Sequence, residues 1–115
     1  MKTEIYLAEK SDGTSYCVGF SRLPQEVNTS NPDGRLEAAL NGEARDVNGT
    51  IATASFAAFQ GGRAIDYVIS MSGGSSIKGH DILVGHNLYV MLIVYKLENY
   101  SDSDYSNFIN SFRLQ

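Results

Sequence analysis

The sequence predicts an α+β domain: an antiparallel β-sheet with helices packed on it, in the order ββαββββα. Three observations point there. From Ile82 the chain runs ILVGHNLYVMLIVYKLENYSDSDYSNFINSFRLQ, a long hydrophobic strand, a polar break and a short amphipathic helix. Residues 63–71 alternate between two faces with the period of a half-buried strand. Asn31-Pro32-Asp33 supplies a capping amide, a first-turn proline and a carboxylate at the positive end of a helix dipole.

Taken in order, Ile5–Glu9 and Tyr16–Phe20 read as a hairpin around Lys10-Ser11-Asp12-Gly13-Thr14, whose Asp-Gly pair suits positive φ. Tyr16, Val18 and Phe20 share one face, Cys17 and Gly19 the other. Leu23-Pro24 ends the pairing. The helix opened by Pro32 carries Leu36, Ala39 and Leu40 as a narrow apolar stripe and ends at Asn48-Gly49.

Thr50–Phe59 is a strand rich in alanine, and Gly61-Gly62 a tight turn. In the next strand Ile65, Tyr67, Ile69 and Met71 oppose Ala64, Asp66, Val68 and Ser70. Gly73–Ser76 forms a loop, Ile77–Gly85 a strand, His86-Asn87 a turn, and Leu88–Leu97 the longest strand. That last strand is apolar on both faces, which places it centrally with a layer on each side. Ser101 or Ser103 caps the final helix, where Tyr105, Phe108, Ile109 and Phe112 fall at i, i+3, i+4 and i+7.

The chain of 115 residues, 43% hydrophobic and 19% charged, suits one globular domain spanning 1–115 with a single core. A net charge of −4, with nine basic residues and no two adjacent, argues against nucleic acid and against an anionic membrane surface. The apolar run Leu88–Tyr95 is far short of the roughly 20 residues that span a bilayer, so direct membrane insertion is not expected. MKTEIYLAEK lacks the apolar run of an export signal. The expectation is a soluble chain, cytoplasmic or the extracytoplasmic part of an envelope-associated protein. Cys17 stands alone and mid-strand, a small apolar group and not a reactive thiol.

No catalytic constellation emerges, and no metal or cofactor is expected. His80 and His86, the two histidines, lie too far apart along one strand to share a metal ion. His80-Asp81 is a general-base pair on paper, but no nucleophile or orienting group is identifiable, and a solvent-facing turn histidine is the better reading. Ser72–His80 is glycine-rich, but a strand follows it where a phosphate loop needs a helix. Glu37 and Glu43 read as a solvated helix face, Asp102 and Asp104 as parts of a helix start. Three glycosylation sequons, at Asn28, Asn48 and Asn99, are near background in an Asn- and Ser-rich chain. Seven tyrosines either border a binding groove or edge the core, the second being the simpler reading.

Residues 50–115 resemble the PsbP-like α/β/α sandwich superfamily. The resemblance is carried by Gly62-Arg63-Ala64-Ile65-Asp66-Tyr67, by Val84-Gly85-His86-Asn87-Leu88-Tyr89 and by the closing Asn107-Phe108-Ile109-Asn110-Ser111-Phe112-Arg113. It implies sandwich-like layering and a small bacterial domain of unassigned role, with no catalytic residue to transfer. Family members commonly open with a further strand before the first hairpin. Here that strand is either absent or belongs to a longer protein of which this is the soluble part.

The expected function is therefore a non-enzymatic binding or accessory domain acting through contacts with another protein. The alternative is a small-ligand binder using a tyrosine-lined cleft between the sheet and the Pro32 helix. Tyr67, Tyr89, Tyr95, His80 and Lys78 are the candidate binding surface.

Overall fold

A computed structural model describes residues 2–9, 13–26, 28, 30–59 and 61–110. Six strands form one open antiparallel sheet: β1 (Lys2–Glu9), β2 (Ser15–Arg22), β3 (Thr50–Phe59), β4 (Gly62–Ser70), β5 (Ser75–Val84) and β6 (Asn87–Lys96). Helix α1 (Pro32–Asp46) falls between β2 and β3, and α2 (Asp102–Asn110) follows β6. Two single-turn 3-10 segments, Ser72–Gly74 and Leu97–Asn99, stand beside the expected elements. The spatial order is β1-β2-β6-β5-β4-β3, so α1 carries the chain from one end of the sheet to its far edge.

Alternation along the strands builds two cores, one on each face. Ile65, Tyr67, Ile69, Ile77 and Leu83 meet Leu36, Leu40 and Ala44 of α1. Ala64, Ile82, Met91, Ile93 and Tyr95 meet Tyr105 and Ile109 of α2. Each face thus carries one helix, the layering of an α/β/α sandwich. Phe108 packs half-buried on the α2 core, while Phe112 lies outside the described residues.

β6 is an interior strand, as its composition required, but its two faces differ. Met91, Ile93 and Tyr95 are buried under α2, whereas Leu88, Val90, Leu92 and Val94 are only half-buried. The reason is the position of α1, which lies mainly against β3, β4 and β5 and covers β2 and β6 less closely. The last turn also begins one residue earlier than expected, at Gly85-His86, with Asn87 already in β6.

The ends of α1 follow local chemistry. Asn31 Oδ1 accepts from Gly34 N at 3.2 Å, satisfying one of the orphan donors of the first turn. At the other end Asn48 turns left-handed at φ 53. Asn48 N then donates to Arg45 O at 3.2 Å and Gly49 N to Ala44 O at 2.8 Å, a Schellman closure. Asn31→Ala should cost about 1 kcal/mol, read as a lower denaturation midpoint at unchanged m-value. Arg63 clamps the first turn to β4, its Nε and Nη2 donating to Asp33 Oδ1 and Oδ2 at 2.9 and 3.0 Å.

Candidate functional site

The polar residues inside this fold fall into two clusters on opposite faces, and His80 and Asp81 belong to different ones. Consecutive strand residues point to opposite sides of a sheet. The pair suggested by their adjacency therefore does not exist as a working unit.

Under α1, Asp81 is 0% exposed and its Oδ1 accepts from the Tyr67 hydroxyl at 3.0 Å. Glu43 reaches the same place from the helix and hydrogen-bonds to Asp81. Two carboxyl groups can share a hydrogen bond only if one keeps its proton. Burial, then the neighbouring Glu43 charge, push Asp81 far above the ordinary carboxyl range. Burial raises Glu43 too, but hydrogen bonds from Asp81 and Tyr67 oppose that rise. Asp81 is thus the proton holder and Glu43 the acceptor. Glu43 Oε2 and Asp81 Oδ2, each otherwise without a donor among the described residues, fit this sharing. Burial and the same two acids raise the Tyr67 phenol.

Glu43 was expected on a solvated helix face, and that expectation is corrected. It lies at i+7 from Leu36, beside Ala44, on the stripe that meets the sheet. Ala39, expected in the stripe, is half-buried, and Ala44 takes the buried place. Across the strands Tyr67 pairs with Gly79, whose lack of a side chain makes room for the phenol ring.

On the α2 face, His80 is 5% exposed, not a solvent-facing turn residue. It sits in mid-β5 opposite Asp66, whose Oδ1 accepts from its Nδ1 at 2.6 Å. Phe59 and the imidazole meet edge to face, with ring centres 4.7 Å apart. An Asp-held imidazole has the orientation of a general base. Its Nε2, however, is buried with no hydrogen-bond partner among the described residues, so the base faces protein and not an open site.

Lys78, two residues earlier, places Nζ 5.2 Å from the Tyr100 ring centre and 4.7 Å from that of Tyr105. Tyr95 packs on Tyr100 and Tyr89 on Phe20. Of the proposed binding surface, Lys78, His80, Tyr89 and Tyr95 thus share the α2 face. Tyr67 lies on the other side at 1% exposure and forms no surface. His80 and Tyr95 are also buried, whereas Lys78 and Tyr89 are half-buried.

The tyrosine-lined cleft beside α1 is not formed by the described side chains, because the tyrosine there is Tyr67. A shallow groove of about 280 Å³ near the start of α1 is lined by Pro32, Arg63, Leu83, Val84 and glycines. Among the described residues no three His, Cys, Asp or Glu converge as metal ligands. No helix among them is long and apolar enough to cross a membrane.

The feature that sequence reading passed over is β3. It forms one edge of the sheet, and Ala52 through Ala58 are exposed on both faces. Its ten residues, TIATASFAAF, contain no charge and no proline. Sheet edges are usually guarded by charge, proline or a covering segment. Here one irregularity, a register shift between Ile51 and Thr53, interrupts an otherwise regular strand. The opposite edge, KTEIYLAE, carries Lys2, Glu4 and Glu9.

The molecule is thus an open-sheet α+β domain with sealed polar interiors and one unguarded edge. No family model and no curated protein matches the chain. Its fold is similar to that of a solved Pseudomonas aeruginosa structure described as a protein of unknown function, PA94, and a conjectured regulator. The TM-score is 0.61 at 10% identity, over 99% of this chain and 83% of that one. At that identity the likeness concerns fold alone.

Proposed function

We propose that this chain is a non-enzymatic binding domain of the PsbP-like type that works through protein contacts, and that β3 is where it makes them. The carrying observation is a ten-residue edge strand with no charge and, among the described residues, no covering segment. Its outward N–H and C=O groups can take up one more strand, the mode of recognition called β-augmentation. The polar groups that would serve catalysis are turned inward: Asp81 is sealed under α1, and His80 Nε2 is shut off from solvent. An accessory role accounts for both facts.

The test is titration of the isotope-labelled protein with a lysine-flanked peptide of residues 50–59, followed by amide chemical shifts. Shifts concentrated in β3 and β4 are expected. Shifts confined to the α2 face, or none at millimolar peptide, would remove β3 as the contact site.

A further inference from the structure

We propose that the occupant of the β3 edge is β3 of a second copy, joined antiparallel about a two-fold axis into one twelve-stranded sheet. The inference rests on the reading of β3 as a strand-accepting edge and names its partner. Three features select a second copy over an unrelated strand.

The first is charge. A two-fold axis sets each residue against another residue of the same strand, so a charged strand meets its own charges. TIATASFAAF has none, and no register of self-pairing is penalised by like charges. The chain as a whole carries −4, so neutrality at this edge is a local property and not a general one.

The second is length. After the irregularity at Ala52 the regular edge runs from Thr53 to Phe59, and its midpoint is Phe56. Pairing that whole segment with itself sets Phe56 against Phe56 of the second copy, Ser55 against Ala57, Ala54 against Ala58 and Thr53 against Phe59. Phe56 is 38% exposed, one of three such large apolar side chains among the described residues, and this register covers it. Small residues flank it on both sides, so the two rings meet without crowding.

The third is closure. β3 pairing with β1 of another copy would be head-to-tail and would grow into an open polymer. The β1 sequence carries three charges where β3 carries none, and β3 meeting β3 closes after two copies. The strand is also held in place by β4 before any partner arrives, so pairing costs less ordering than capture of a loose peptide. A contact made mainly by strand edges is smaller than stable interfaces of about 1,200 Å² or more, so the dimer should be reversible.

Sedimentation velocity from micromolar to millimolar protein tests this. The expected weight-average mass rises from that of one 12.6 kDa chain toward that of two. Ser55→Lys/Ala57→Lys, at two exposed positions, sets lysine against lysine in the proposed register and should weaken association at least tenfold. Its far-ultraviolet circular dichroism should match the parent, and Thr3→Lys on β1 serves as the control that leaves association unchanged. A monomer throughout the range, or a double-lysine variant that associates as the parent does, overturns the proposal. If the parent stays monomeric while the 50–59 peptide still shifts β3, only the second-copy partner falls. If neither associates, the strand-accepting reading falls with it.

Discussion

Asp81→Asn is expected to stabilise the protein, and by more as pH rises above about 4, where an unfolded aspartate gives up its proton. Asp81 is fully buried, and burial first, then the Glu43 charge, hold its carboxyl far above the ordinary range. The folded state therefore binds a proton that the unfolded chain has released. Stability from this group is fully present below the unfolded value and declines as pH climbs through the folded one. Asparagine keeps the geometry without the proton: its amide donates to Glu43 and its carbonyl accepts from Tyr67. A gain of about 1–4 kcal/mol near neutrality is expected, the range for buried ionic groups replaced by well-fitting neutral ones. Asp81→Ala should act oppositely, since it takes an acceptor from the buried Tyr67 hydroxyl and a donor from Glu43 and leaves a cavity between them. Thermal unfolding from pH 4 to 9 decides the matter. An asparagine variant with the same downward slope as the parent would falsify the shared proton.

Gly79→Ala should be among the most damaging single-methyl changes available to this chain. A Cβ at Gly79 would collide with the Cζ, Oη and Cε2 atoms of Tyr67. The ring has nowhere to retreat, being 1% exposed and tied by its hydroxyl to Asp81. The cost should lie at or above the upper end of the about 1–3 kcal/mol typical of overpacked cores. A urea titration would show it as a lower midpoint. Tyr67→Leu in the alanine background should recover part of the loss, although alone it removes the Asp81 hydrogen bond. Recovery of that kind would make the two changes non-additive, as expected for residues in direct contact. Fully additive losses would mean that the collision is relieved elsewhere.

Both predictions concern residues that sequence pattern placed correctly but did not connect. Alternation assigned Tyr67 to one face of β4 because local steric rules set that period. Asp66 against His80, and Tyr67 over Gly79, depend on how β4 registers against β5, and no local signal encodes that pairing. The position of Glu43 was within reach: seven residues beyond Leu36 and three beyond Leu40 is the buried side of a helix. Its charge argued for solvent, and that general preference prevailed over periodicity. The His80-Asp81 pair failed for the opposite reason, since neighbours in a strand are the residues least able to meet. The two-sided apolar character of β6 correctly made it interior. How far α1 extends across the sheet depends on where β3 pairs, which again is a long-range matter. The open edge was visible as an uncharged, alanine-rich strand. Its meaning emerged only once that strand had no neighbour on one side.

Cys17 gives the chain a reporter of its own breathing. It is the sole cysteine of the sequence, half-buried on the α1 side of β2. Burial, and the Glu43 charge, raise its thiol above the usual range. Lifting α1 away from the sheet takes the Glu43 charge from the thiol's neighbourhood. The rate of alkylation by iodoacetamide should therefore rise under conditions that loosen the helix, with no engineered label required.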